Sequence, residues 1–148
     1  MSPLTKRRIQ NFRANRRGMV STYIFLFLFF ISLFADFIAN DKPIFVKYEN
    51  KVIFPILEKI PETFYGGEFE TEADYKDPFV INLIKEKGFL IMPPIEYYYD
   101  TINYDLEVPS PSPPTLNNFL GTDDQGRDVL ARLIYGFRIS VFFGLILT

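Results

Sequence analysis

Uncharged residues fill positions 18–35 (GMVSTYIFLFLFFISLFA), and a second uncharged run extends from Ile139 to Thr148. An 18-residue helix rises roughly 27 Å, close to the hydrocarbon thickness of a bilayer. The first run therefore predicts a transmembrane helix over 18–40, extended past an interfacial Asp36 by Phe37, Ile38 and Ala39. A soluble core helix would need surrounding mass that the rest of the chain does not supply. A cleaved signal peptide typically has an apolar core of about 7–15 residues and small residues at its cleavage point. Here the run is longer, and Phe37 stands two positions before Ala39. An uncleaved anchor fits better. From Ile139 the second run rises only about 15 Å, so 138–148 reads as the start of a second transmembrane helix, truncated at Thr148.

Between these runs the periodicities are shorter. Asn40 to Pro43 (NDKP) reads as a turn. Residues 44–48 (IFVKY) and 52–54 (VIF) predict a hairpin around Glu49, Asn50 and Lys51, although its turn lacks glycine. Asp77-Pro78 opens a helix with Asp77 as cap and Pro78 at its first position. Phe79, Val80, Leu83 and Ile84 form its apolar face, and Gly88 is its expected terminator. Phe89 to Met92 reads as a strand. Tyr97, Tyr98, Tyr99 and Tyr104 lie in a further β-prone stretch, as half-buried packing rather than a ligand cage. Residues 41–108 thus form a small α+β segment, near the lower size limit for folding alone. Residues 109–118, with Pro109 to Pro114 (PSPSPP), read as a stiff Pro-rich strut, a spacer in preference to an SH3-type ligand.

Charge adds an orientation. Residues 1–17 carry six Lys and Arg and no acid, whereas 41–133 carry 17 Asp and Glu against nine Lys and Arg. Basic residues stay on the cytoplasmic side of a span, so 1–17 is a cytoplasmic basic tail and 41–133 is extracytoplasmic. The tail's place against a span argues for anionic headgroups over nucleic acid. The acidic run Glu68, Glu70, Glu72 and Asp74 reads as a solvated face rather than a cation site. The chain has no cysteine and no histidine. Disulfides, thiol chemistry and His-based triads are therefore unavailable to it, and no catalytic or metal-ligating residue is assigned.

Residues 119–144 read FLGTDDQGRDVLARLIYGFRISVFFG. With Thr122 or Asp123 as cap, and Asp123 and Asp124 in the first turn, 119–137 predicts an amphipathic interfacial helix region. Val129, Leu130, Leu133, Ile134 and Phe137 share its apolar face. Asp128 and Arg132 are spaced to pair one turn apart. Gly136 permits a bend, and Arg138 is placed to snorkel.

This string resembles the start of the second span in C-type permeases of dipeptide and oligopeptide ABC importers. The family pattern L-G-T-D-x-x-G-R-D-x-x-x-R-x-x-x-G-x-R-x-S is met at Leu120, Gly121, Thr122, Asp123, Gly126, Arg127, Asp128, Arg132, Gly136, Arg138 and Ser140. Asn40 to Pro43, Ala73-Asp74-Tyr75, Asp77-Pro78 and the Pro-Ser-Pro-Pro ending at Pro114 make the resemblance closest to the Yej-type permease, associated with oligopeptides and microcin C. Phe119 stands where the family often has tryptophan.

The resemblance implies a non-enzymatic permease subunit in the bacterial inner membrane. Its implied partners are a second permease subunit, a periplasmic solute-binding protein that delivers peptide, and cytoplasmic ATPase subunits that hold the ATP. This chain needs no cofactor of its own and carries no P-loop string. The motif residues are expected to be structural. The rival reading is a membrane-anchored extracytoplasmic binding or scaffolding protein. A tethered hydrolase has little support without histidine or cysteine.

Overall fold

The computed structural model describes residues 2–148. Two helices are long and apolar enough to cross a bilayer: α2 (Arg16–Leu33) and α5 (Val129–Leu147). The basic tail is not extended. Beyond position 1, which lies outside the described residues, it forms α1 (Pro3–Ala14), started by Ser2 and a proline at its first position. Asn15 separates α1 from α2 and caps α2 by accepting from Gly18 N–H (3.2 Å). The predicted 18–40 helix is interrupted at Phe34 and resumes as the four-residue α3 (Ala35–Ile38).

A three-stranded antiparallel sheet follows, in the order β2-β1-β3, from β1 (Phe45–Tyr48), β2 (Lys51–Ile53) and β3 (Gly88–Ile91). The hairpin turns through Glu49 at φ +53, a left-handed conformation supplied without glycine. Helix α4 (Pro78–Lys87) packs on one sheet face, with Asp77 accepting from Phe79 N–H at 2.8 Å. Val80 and Ile84 are buried, whereas Phe79 turns outward and leaves the expected apolar face.

Gly88 is not a left-handed cap. Its backbone is extended and it is already the first residue of β3, so helix passes into strand without a loop. Glycine is required there by proximity: an added Cβ would sit 1.9 Å from the Lys47 carbonyl oxygen.

Two clusters are buried. The first joins Val46, Tyr48, Ile60, Tyr65, Ala73, Tyr75, Val80 and Ile84. Within it Tyr48 Oη donates to the Tyr65 carbonyl (2.9 Å), and the Tyr65 and Tyr75 hydroxyls lie 3.1 Å apart. Burial pushes both of these hydroxyls above the usual tyrosine range. The second cluster joins Ala35, Ala39, Ile95, Ala131 and Tyr135 and lies where α3, the chain after β3 and α5 meet.

Residues 97–104 form no named strand among the described residues, against expectation. Tyr97 and Tyr98 pack half-buried on the second cluster, while Tyr104 is exposed. The acidic run is partly paired, with Glu72 joined to Lys42. The Pro-rich stretch is not a free strut either. Ser112 is buried, its N–H donates to Thr122 Oγ1 (3.0 Å), and its carbonyl accepts from Thr122 N–H (3.1 Å).

Candidate functional site

The motif residues from Gly121 to Asp128 form a compact loop, where the predicted helix was expected to begin. Asp123 to Gly126 make a turn closed by Gly126 N–H to the Asp123 carbonyl (3.1 Å), with Gly126 at φ +80. Helix α5 starts only at Val129. Its cap is Asp128, whose Oδ1 accepts from Ala131 N–H at 2.7 Å. Thr122 and Asp123 cap nothing. The hydroxyl of Thr122 is taken up by Ser112, 3.0 Å away. Gly121, at φ +74, lies so close to the Ser112 carbonyl that a Cβ would approach to 2.4 Å.

Asp123 is the loop's anion. Its Oδ1 accepts from the backbone N–H groups of Gln125 and Arg127, both at 2.9 Å. Its Oδ2 meets the Arg127 guanidinium (2.8 Å to Nη2) and also Arg132. Burial works against ionisation here, but the two amides and the Arg127 guanidinium prevail and hold the Asp123 carboxyl at about 2.

The expected Asp128–Arg132 pair does not form. Asp128 is 1% exposed and faces inward, where its Oδ2 accepts from Asn118 Nδ2 at 2.8 Å. Asn118 Oδ1 in turn accepts from Asn103 Nδ2 (3.0 Å). Arg132 leans back across one turn to Asp123 instead. Helical spacing was the wrong guide because Asp128 is the cap residue and its side chain folds over the first turn.

The remaining motif residues lie apart from this loop. Gly136 and Ser140 are exposed positions inside an uninterrupted α5, so Gly136 marks no bend. Leu120 is half-exposed. The interfacial helix and second apolar run expected separately are thus one 19-residue helix.

Arg138 does not simply snorkel. Its Nη1 donates to Asp36 Oδ2 at 2.9 Å, and its guanidinium lies 4.9 Å from the Tyr135 ring centroid. The Tyr135 hydroxyl sits 2.9 Å from Asp36 Oδ1 and 2.8 Å from the Ala39 carbonyl. A latch of Asp36, Tyr135 and Arg138 therefore closes over the second cluster, whose alanines let α3 and α5 approach closely. Further along, Phe25 meets Phe137 and Phe29 meets Phe142 edge-on, with centroids 5.8 and 5.6 Å apart.

Sequence patterns missed Asp36 as a partner, along with Asn118, Ser112 and Tyr135. One signal was available: an aspartate in an otherwise apolar stretch, with a lone arginine before the second uncharged run. Among the described residues no group of ligating side chains suits a metal ion. The geometry is that of a brace. It joins two apolar helices, the Pro-rich stretch and the segment after the sheet.

Residues 3–53, spanning α1 to β2, match the family described as the N-terminal TM domain of oligopeptide transport permease C. The chain is 47% identical to the peptidoglycan transport system permease protein YejE of Agrobacterium fabrum, across 99% of this chain and 45% of that protein. It is 46% identical to the inner membrane ABC transporter permease protein YejE of Escherichia coli, across 100% of this chain and 43% of that one. The dipeptide transport system permease protein DppC of Haemophilus influenzae is 71% identical over 28 residues, 19% of this chain and 10% of its own. No solved structure matches. The chain spans less than half the length of the two whole-chain relatives. The family match thus falls on the first apolar helix and its flanks, and similarity to two YejE permease proteins runs along the whole length of the chain.

Proposed function

We propose that this chain forms part of a permease subunit importing oligopeptides or peptide-like compounds across the bacterial inner membrane. The observation that carries the reading is whole-chain similarity, at 46–47% identity, to two Yej-type permeases. The substrate class comes from the relatives' names, which refer to oligopeptide, dipeptide and peptidoglycan transport. Peptide-nucleotide compounds of the microcin C kind fall within the same chemistry. In this reading a second permease subunit completes the pathway, a periplasmic binding protein delivers substrate, and ATP is hydrolysed on cytoplasmic subunits.

Orientation follows from charge. The basic α1 and the start of α2 stay in the cytoplasm, and residues 41–133 lie outside. The brace then has a mechanical role. It fixes the outer end of the first apolar helix to the second, so that the pair moves as one body during alternating access. The motif charges would act by positioning, since each is already held by a partner within the chain.

Uptake of a labelled tripeptide into cells lacking the full-length permease gene tests the reading. Restoration by the native gene, and none with a hydrolysis-defective ATPase partner, is expected. Peptide binding at the cell surface without uptake would favour an anchored binding or scaffolding protein. Alkaline phosphatase fused at residue 60 should be active and at residue 10 inactive, and the reverse pattern would overturn the orientation.

A further inference from the structure

The sheet has two unequal faces. Val46, Tyr48, Ile53 and Leu90 pack toward α4. By alternation Phe45, Lys47, Val52, Phe89 and Ile91 occupy the opposite face. There Val52, Phe89 and Ile91 are each about half exposed, as is Phe54 just beyond β2. Phe45 bridges the aromatic pair, with ring centroids 5.8 Å from Phe54 and 5.7 Å from Phe89. This face carries no acid and a single cation, Lys47, although the chain's middle portion is strongly acidic.

The fold fixes where this face begins. At about 27 Å, the rise of α2 is close to the roughly 30 Å hydrocarbon thickness. With Arg16 and Arg17 at one boundary, Leu33 and α3 reach the other. Ile95 is bonded to the end of α3: its N–H donates to the Ile38 carbonyl and its carbonyl accepts from Asn40 N–H, both at 3.0 Å. Ile91 lies four residues before Ile95, a reach of at most roughly 14 Å. It is paired with Phe45, and Ile44 N–H donates to its carbonyl at 2.9 Å. The Phe45–Ile91 row is therefore the end of the sheet tied to the membrane boundary, and Lys47 stands one row further out.

We propose that this face rests on the headgroup layer of the membrane, on the side where α2 ends. Aromatic and aliphatic side chains at the near row suit the hydrocarbon boundary, and a lysine above them suits lipid phosphates. The apolar face is also small. Five apolar side chains and Lys47 fall well short of the roughly 20–30 residues a side of a standard protein interface. The proposal rests on α2 crossing the bilayer and is independent of any transport activity.

A photo-crosslinking amino acid at Phe54, within the full-length permease assembled in native membranes, tests it. The control is Phe79, 52% exposed on α4 at the other side of the sheet. Mass spectrometry should find at least tenfold more phospholipid adduct at position 54 than at 79. Adducts to another protein at position 54, or lipid labelling no greater than at 79, would overturn the proposal. If the Phe54 variant does not assemble, the same comparison is made at Val52. A complex that imports no peptide yet labels lipid at position 54 leaves the proposal standing and removes the transport reading instead.

Discussion

The core of the sheet unit and the core at the helix junction are built by opposite means. The first draws on one stretch of chain, Val46 to Ile84, and fills its interior with branched aliphatics and three tyrosines. The second takes Ala35 and Ala39, then Ile95, then Ala131 and Tyr135, from segments widely separated in sequence. Alanine contributes little buried area, so this junction gains less from burial than the sheet unit does. What it has instead is a polar rim: Asp36, Tyr135 and Arg138 at the apolar helices, and Asn118 with Asp128 at the start of α5. One core is stabilised chiefly by volume, the other by directed bonds around a close approach. Different substitutions should therefore damage each.

The largest effect is expected in the sheet unit. Ile84→Ala leaves a cavity among fully buried neighbours and should cost about 2–5 kcal/mol. Hydrogen exchange should accelerate in β1 and β3 but not in α5. Equal acceleration in α5 would mean that the two cores unfold as one.

Next comes the junction's own anchor. Asp128→Ala removes the α5 cap and leaves the Asn118 amide without its buried acceptor, a combined loss of about 2–3 kcal/mol. Asp128→Asn keeps an acceptor oxygen and should lose less. Thermal unfolding of the two variants distinguishes this account from exposed pairing with Arg132, which would cost only about 0.3–0.5 kcal/mol.

Asp123 adds a pH dependence. Its carboxyl ionises at lower pH in the native loop than when unpaired, with the value held at about 2 against the ordinary 3.8. Its contribution is complete above the ordinary value and is lost as pH falls through about 2. The size is at most about 2 kcal/mol. Asp123→Asn should flatten the stability profile across that window, and an unchanged profile would show that the Arg127 contact does not hold the loop.

The smallest effect belongs to the latch. Tyr135→Phe and Asp36→Asn should each cost about 1 kcal/mol, and the double variant should cost measurably less than their sum. Strict additivity, measured in the same unfolding assay, would separate the two groups energetically.

What was legible in the sequence divides along the same line. The hairpin and α4 follow from periodicity and local punctuation, and the first apolar helix does so as far as Leu33, beyond which the break at Phe34 has no signal in the apolar run. The motif loop departs from the helix that its sequence predicts for a local reason. A threonine-aspartate pair before an apolar face looks like a cap, yet Gly126 falls in what would be the first turn and bends the chain left-handed. The true cap, Asp128, follows two residues later. Helix α1 carried a usable signal in Ser2-Pro3, overshadowed by its charge. The bond between Asp36 and Arg138 could not be read from spacing, because only the meeting of α3 and α5 brings them together. The Ser112–Thr122 contact is similar: proline content predicts stiffness, but folding back depends on a distant acceptor.

The tyrosine chain inside the sheet unit also gives the protein a built-in optical signature. The sequence holds no tryptophan. Its near-ultraviolet circular dichroism therefore comes from tyrosine and phenylalanine rings held in fixed asymmetric surroundings. Tyr48, Tyr65 and Tyr75 are locked edge-to-face, with successive centroids 5.3 and 6.1 Å apart. Loss of fixed packing erases such a signal while far-ultraviolet helicity persists. Most of the chain's helix lies in the apolar segments, so the far-ultraviolet signal follows chiefly those, whereas the near-ultraviolet signal follows the packed rings of the sheet unit together with Tyr98, Tyr99 and Tyr135 at the helix junction. Loss of fixed ring packing can thus be followed in an unlabelled chain while the apolar helices stay folded.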